Sequence, residues 1–143
     1  MRLRTAGVIL VRKSIRCRVR RALRARPRYA RPYTGFMLEY EISPRETAKL
    51  LQDHKVHLID VREPWEYATA RIGGSVLMPM GDVPSRAHQE LDPDERIVVL
   101  CHHGMRSMNV AVWLRNQGFE QAQSLQGGID AWSAEVDPSV GRY

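Results

Sequence analysis

Ile97-Val98-Val99-Leu100-Cys101-His102-His103-Gly104-Met105-Arg106-Ser107 joins an apolar run, a thiol and the approach to a helix without interruption. The four apolar residues read as a buried strand, and residues 107–117, closed by Gly118, read as a helix. Cys101 therefore falls where a strand gives way to a helix. The first turn of a helix leaves N–H groups unpaired, and together with the positive end of the dipole they favour an anion. That position predicts a thiolate, and a thiolate is a nucleophile.

Outward from this run the chain alternates helix and strand signals. Ser43-Pro44-Arg45-Glu46 is a capping box with proline at the first helical position, and Ala48, Leu50 and Leu51 continue that helix toward His54. Residues 56–61 read as a strand, 64–70 as a short helix, 75–80 as a short strand and 83–91 as a helix. After the central run, residues 122–125 read as a strand, and Gly127-Gly128 turns into a last helix through Trp132. Such alternation is the pattern of an α/β fold with a parallel sheet and helices on its faces. Sites in open parallel sheets form at the carboxyl ends of strands, where Asp60 and Cys101 both fall.

The spacing inside the loop is informative. Four residues separate Cys101 from Arg106, against five in the thiol phosphatases that bind a tetrahedral phosphate. One residue fewer makes a tighter ring of amides, better matched to a single sulfur atom than to a phosphoryl group. Gly104 suits such a ring, which needs dihedrals or close approach that a side chain hinders. Arg106 has two readings that the sequence leaves open: a bidentate contact to an anionic substrate, or a brace on the loop from outside.

These residues resemble the rhodanese-like sulfurtransferases, whose active loop reads Cys-x-x-Gly-x-Arg-Ser in many bacterial single-domain members. Ile59-Asp60-Val61-Arg62-Glu63-Pro64-Trp65-Glu66-Tyr67 is similar to that family's first signature, continued by Arg71-Ile72-Gly73-Gly74-Ser75. Leu125-Gln126-Gly127-Gly128-Ile129-Asp130-Ala131-Trp132 is similar to its second, and Asp137-Pro138-Ser139-Val140-Gly141-Arg142-Tyr143 resembles the ending of a bacterial subgroup. The match covers residues 38–143 and departs where Arg71 stands in place of the usual histidine. The resemblance implies a three-layer sandwich with a central parallel five-stranded sheet flanked by helices. It implies that Asp60 and Arg62 are structural supports of the neighbouring loops. It also implies ping-pong sulfur transfer through a Cys101 persulfide, with thiosulfate or a persulfide as donor and cyanide, a protein thiol or a small thiol as acceptor. His102, His103, Gly104, Met105, Arg106 and Ser107 would form the substrate-binding cradle, stabilising negative charge through inward N–H groups. No metal and no organic cofactor is called for.

Adjacent histidines on a tight loop rarely aim at one point, which argues against a Cys-His-His metal site. His102 and His103 read either as lining the pocket mouth, attracting an anionic donor, or as exposed loop side chains. His54, His57 and His88 are isolated. Glu63 and Glu66 read as solvated acids at a helix start. Trp65, Trp113 and Trp132 read as core anchors, Met78 and Met80 as parts of a buried strand, and Met105 as a loop side chain that shapes acceptor choice.

At 143 residues and net charge +6 the chain suits one domain, but the charge is unevenly divided. Residues 1–36 carry twelve Lys and Arg with no acid, while the remaining 10 basic residues face 16 acidic ones, a balance of −6. Residues 1–37 are therefore read as a basic, disordered leader and 38–143 as the rhodanese-like domain. The leader is compatible with a start-site artefact or unstructured appendage, with an organellar targeting segment, or with a nucleic-acid-binding tail. Its apolar stretch at 6–11 is too short for a membrane span, so no membrane partner is expected. Cys17 and Cys101 lie in dissimilar settings, so a bridge between them is not expected and a reducing, cytoplasmic setting suits a working thiol. Three functions follow: a sulfurtransferase, a noncatalytic persulfide carrier or sensor, and a thiol phosphatase or arsenate reductase, which the loop spacing disfavours.

Overall fold

A computed structural model describes residues 38–143, so the basic leader expected over 1–37 lies outside the described residues. The elements follow in the order β1 (Glu41–Ile42), α1 (Pro44–Gln52), β2 (His57–Asp60), α2 (Pro64–Thr69), β3 (Val76–Leu77), α3 (Val83–Glu90), β4 (Ile97–Leu100), α4 (Met105–Asn116), β5 (Ala122–Leu125) and α5 (Gly128–Glu135). All strand pairings among the described residues are parallel, and the five strands run in the order β1-β5-β4-β2-β3.

The strand alternation divides the core. Ile59, Ile97 and Val99 face one side with Met78, Val83, Ala87, Val110 and Leu114, so α3 and α4 cover that face. Leu58, Val98 and Leu100 face the other with Leu50, Leu51, Ile129 and Trp132, beneath α1 and α5. The three-layer sandwich is thus present, with β4 in the middle and every residue of it buried.

Local signals set most boundaries. Ser43 caps α1 by accepting the Glu46 N–H at 3.2 Å, and Pro44 opens the helix. Helix α4 starts at Met105, two residues before the expected Ser107, so the helix begins inside the thiol loop. It ends at Asn116 with Gln117 as its C-cap, after which Gly118 takes φ +98. Three expectations are corrected by packing. The expected strand over 75–80 pairs only across Val76–Leu77, and Met80 is exposed while Met78 is buried. Trp65 is 62% exposed, because it sits on the outer face of α2 rather than beneath it. Glu66, expected to be solvated, is buried.

Candidate active site

Strand β4 delivers Cys101, and β2 delivers the support beside it. Asp60 pairs with Leu100 in the parallel register, so the two strand-end residues picked from sequence share one edge of the sheet. Cys101 is buried, with its Sγ receiving the Gly104 N–H at 3.0 Å and lying 3.3 Å from Ser107 Oγ. Gly104 makes this possible through a φ of +106, a left-handed setting that turns its N–H back toward the sulfur. The amides of Met105, Arg106 and Ser107 precede the first helical bond, from Met108 N–H to the Gly104 carbonyl at 3.0 Å, and so belong to the donor-rich first turn of α4.

Ser107 carries the polar side of the thiol's environment. Its Oγ donates to the Gly104 carbonyl at 3.1 Å and lies 2.8 Å from Ser124 Oγ, both serines being buried. One hydroxyl proton thus has a carbonyl, a second hydroxyl and a sulfur within reach, and an anionic sulfur is the strongest acceptor of the three. Ser124 escaped the sequence reading, because within the strand 122–125 nothing marks one serine as facing a loop 17 residues away.

The backbone of the loop is held from behind by α5. Ile129 N–H donates to the Cys101 carbonyl at 2.8 Å, and Asp130 N–H to the His102 carbonyl at 3.2 Å. Gly128 lies so close that a Cβ there would run into both of those carbonyls.

Two ion pairs stand beside the loop, one fully buried and one partly exposed through its arginine. Arg62 Nε and an outer guanidinium nitrogen donate to Asp60 at 2.9 and 2.6 Å, its backbone N–H adds a bond at 3.1 Å, and both side chains are fully buried. Arg62 also donates to the Ala70 carbonyl at 2.7 Å. Burial alone would lower the Arg62 pKa, but the hydrogen bonds and charge of Asp60 overturn that and leave it above its ordinary value. The second pair is Arg106 with Glu66, bidentate at 2.7 and 2.8 Å. Glu66 is pushed down to about 2, first by the Arg106 hydrogen bonds, against the effect of burial, and then by the Glu63 N–H at 2.9 Å and the Tyr143 hydroxyl at 2.9 Å. These donors explain why Glu66 is buried and not solvated. Of the two readings left open for Arg106, the fork is occupied by Glu66.

His102 stacks on His103 at 4.0 Å and on the Tyr143 ring at 4.4 Å. Burial, and then the neighbouring His103, lower the His102 pKa below the ordinary imidazole value. His103 and Met105 are exposed, the latter at 79%. Arg71, in place of the usual histidine, lies with its guanidinium 5.6 Å from the centre of the Tyr67 ring. Leu50, His54, His57, Glu95 and Arg96 line a cleft of about 500 Å³ at the amino ends of β2 and β4, the opposite end of the sheet from Cys101. Among the described residues no helix is long and apolar enough to cross a membrane.

Known proteins are similar to this chain in sequence and in fold. The model of the rhodanese-like domain matches residues 43–135. A thiosulfate sulfurtransferase GlpE from Pseudoalteromonas translucida is 36% identical over 103 residues, covering 71% of this chain and 95% of that protein. A chloroplastic rhodanese-like/PpiC domain-containing protein of Arabidopsis thaliana is 37% identical over 125 residues, and there the match spans 76% of this chain but only 42% of the relative. The crystal structure of a rhodanese-related protein from Thermoplasma volcanium superposes with a TM-score of 0.62 at 26% identity, covering 68% of this chain and 94% of that one. A thiol at the head of a helix, set at the carboxyl edge of a parallel sheet, is thus accompanied by likeness over most of the described residues, and the chain belongs to the rhodanese-like family.

Proposed function

We propose that the protein is a sulfurtransferase that moves a sulfane sulfur from a donor such as thiosulfate to a thiophilic acceptor. The Cys101 thiolate attacks the outer sulfur of thiosulfate. The S–S bond of the donor breaks, its electron pair leaves with sulfite, and a persulfide remains on Cys101. A cyanide ion or thiolate then attacks the terminal sulfur, and the Cys101 thiolate is released for another cycle. Gly104 N–H, the first-turn amides of α4 and the Ser107 hydroxyl would stabilise the negative charge that sits on sulfur in each half of the cycle. Asp60 and Arg62 would hold the loops, and Arg106, engaged by Glu66, would brace α4 rather than bind the donor.

The observation that carries this reading is the Gly104 N–H aimed at Cys101 Sγ at 3.0 Å from the start of α4. It is tested by intact mass after incubation with thiosulfate. The expected gain is one sulfur, about 32 daltons, lost in Cys101→Ser and discharged by cyanide with formation of thiocyanate. Absence of the gain with thiosulfate and with other sulfane donors, or hydrolysis of an aryl phosphate instead, would refute it. We propose likewise that residues 38–143 form the working unit, so a chain starting at Leu38 should gain the same mass.

A further inference from the structure

Tyr143 touches both ion pairs beside the thiol loop. Its hydroxyl accepts from Arg62 at 2.6 Å and donates to Glu66 at 2.9 Å, so one oxygen links the Asp60–Arg62 pair to the Glu66–Arg106 pair. Burial raises the pKa of this phenol, against the Arg62 hydrogen bond, which keeps the proton on oxygen to make the bond to Glu66. Its ring is stacked 4.4 Å from His102, the residue after the nucleophile, and meets the edge of Trp65 at 5.9 Å. The tether behind it is short and firm: Val140 is buried, its carbonyl accepts from Ser133 at 2.6 Å, and Arg142 forks onto Asp130 at 2.8 and 2.9 Å.

We infer that Tyr143 is a positioning residue for the sulfur-transfer reaction: its hydroxyl joins the two ion pairs and its ring supports His102, and together they hold the loop at the geometry that accepts charge on sulfur. This rests on the sulfurtransferase reading above. The hydroxyl acts through Glu66 and Arg106 on the first turn of α4, and the ring acts through His102 on the peptide that follows Cys101. Neither group touches the reacting sulfur.

The test is single-turnover loading of full-length protein with thiosulfate, quenched and read by intact mass, on wild type, Tyr143→Phe, Tyr143→Ala and Leu91→Ala. Leu91 follows α3 and shares a core cluster with Cys101, but it lies on the approach to the amino end of β4, and its N–H donates to the Ala87 carbonyl at 2.9 Å, so its truncation lowers stability without removing a bond of the support. The limiting loading rate should fall about threefold in Tyr143→Phe, which keeps the stack, and about tenfold in Tyr143→Ala, which loses both. The half-saturating thiosulfate concentration should change less than about twofold, and Leu91→Ala should load at the wild-type rate. Equal loading by all four proteins would overturn the inference, as would a fall in Leu91→Ala as large as in Tyr143→Ala, which would make the effect one of general stability. Failure of the wild type itself to load would remove the sulfurtransferase reading and this inference with it.

Discussion

Replacing Glu66 by glutamine tests the brace on α4 with little change of shape. The carboxylate receives two bonds from Arg106, one from the Glu63 amide and one from Tyr143. Glutamine keeps one acceptor oxygen and loses the charge. The Glu66 carboxyl stands at about 2 against an ordinary 4.5, and at about 1.4 kcal/mol per pH unit that difference corresponds to about 3 kcal/mol. The Arg106 side chain is 36% exposed, so solvent screening reduces the expected loss in Glu66→Gln to about 1–2 kcal/mol at pH 7. The pH dependence has a definite sign. The folded value lies below the unfolded one, so the stabilisation is complete well above 4.5 and is lost as pH falls through about 2, with about 60% gone by pH 3. Urea denaturation of both proteins at pH 7, 5 and 3 should therefore show a gap that narrows over that window. A gap below about 0.5 kcal/mol at pH 7, or one of constant size down to pH 3, would refute the account of the pair.

Two further substitutions probe the loop from either side. Gly128→Ala puts a methyl group into the Cys101 and His102 carbonyls at a φ of +63, and we expect a loss of about 3 kcal/mol or more, seen as a lowered thermal midpoint or failure to accumulate folded protein; an unchanged midpoint would contradict the packing. Ser107→Ala removes the only side-chain hydroxyl beside the sulfur among the described residues, and the thiosulfate loading rate should fall about three- to tenfold, while a rate within twofold of wild type would show that the amides suffice.

The sequence carried the fold well, for reasons that lie in short-range patterns. The apolar run at 97–100, the proline and serine at the start of α1 and the glycine after α4 are local signals, and each element formed where those signals stood. Cys101, Gly104 and Ser107 were legible for the same reason, being confined to one short loop. Glu66 and Tyr143 were not, because their roles depend on partners 40 and 77 residues away, which no periodicity links. A glutamate one turn into a helix looks solvated until an arginine from another element arrives. Trp65 misled in the opposite direction: an indole at a helix start reads as buried, yet its place on the helix faces outward.

A peptide group has two polar ends, and a turn can offer only its hydrogens to a guest if its oxygens are engaged elsewhere. The amides of Ile129 and Asp130 meet that need for the residues at 101 and 102. The beginning of α5 is therefore the sink that occupies the carbonyls at 101 and 102 and leaves the bend around the thiol to offer its hydrogens. If Cys101 works as proposed, a lesion there, far along the chain from the thiol, would register in an assay as a defect of chemistry as well as of stability.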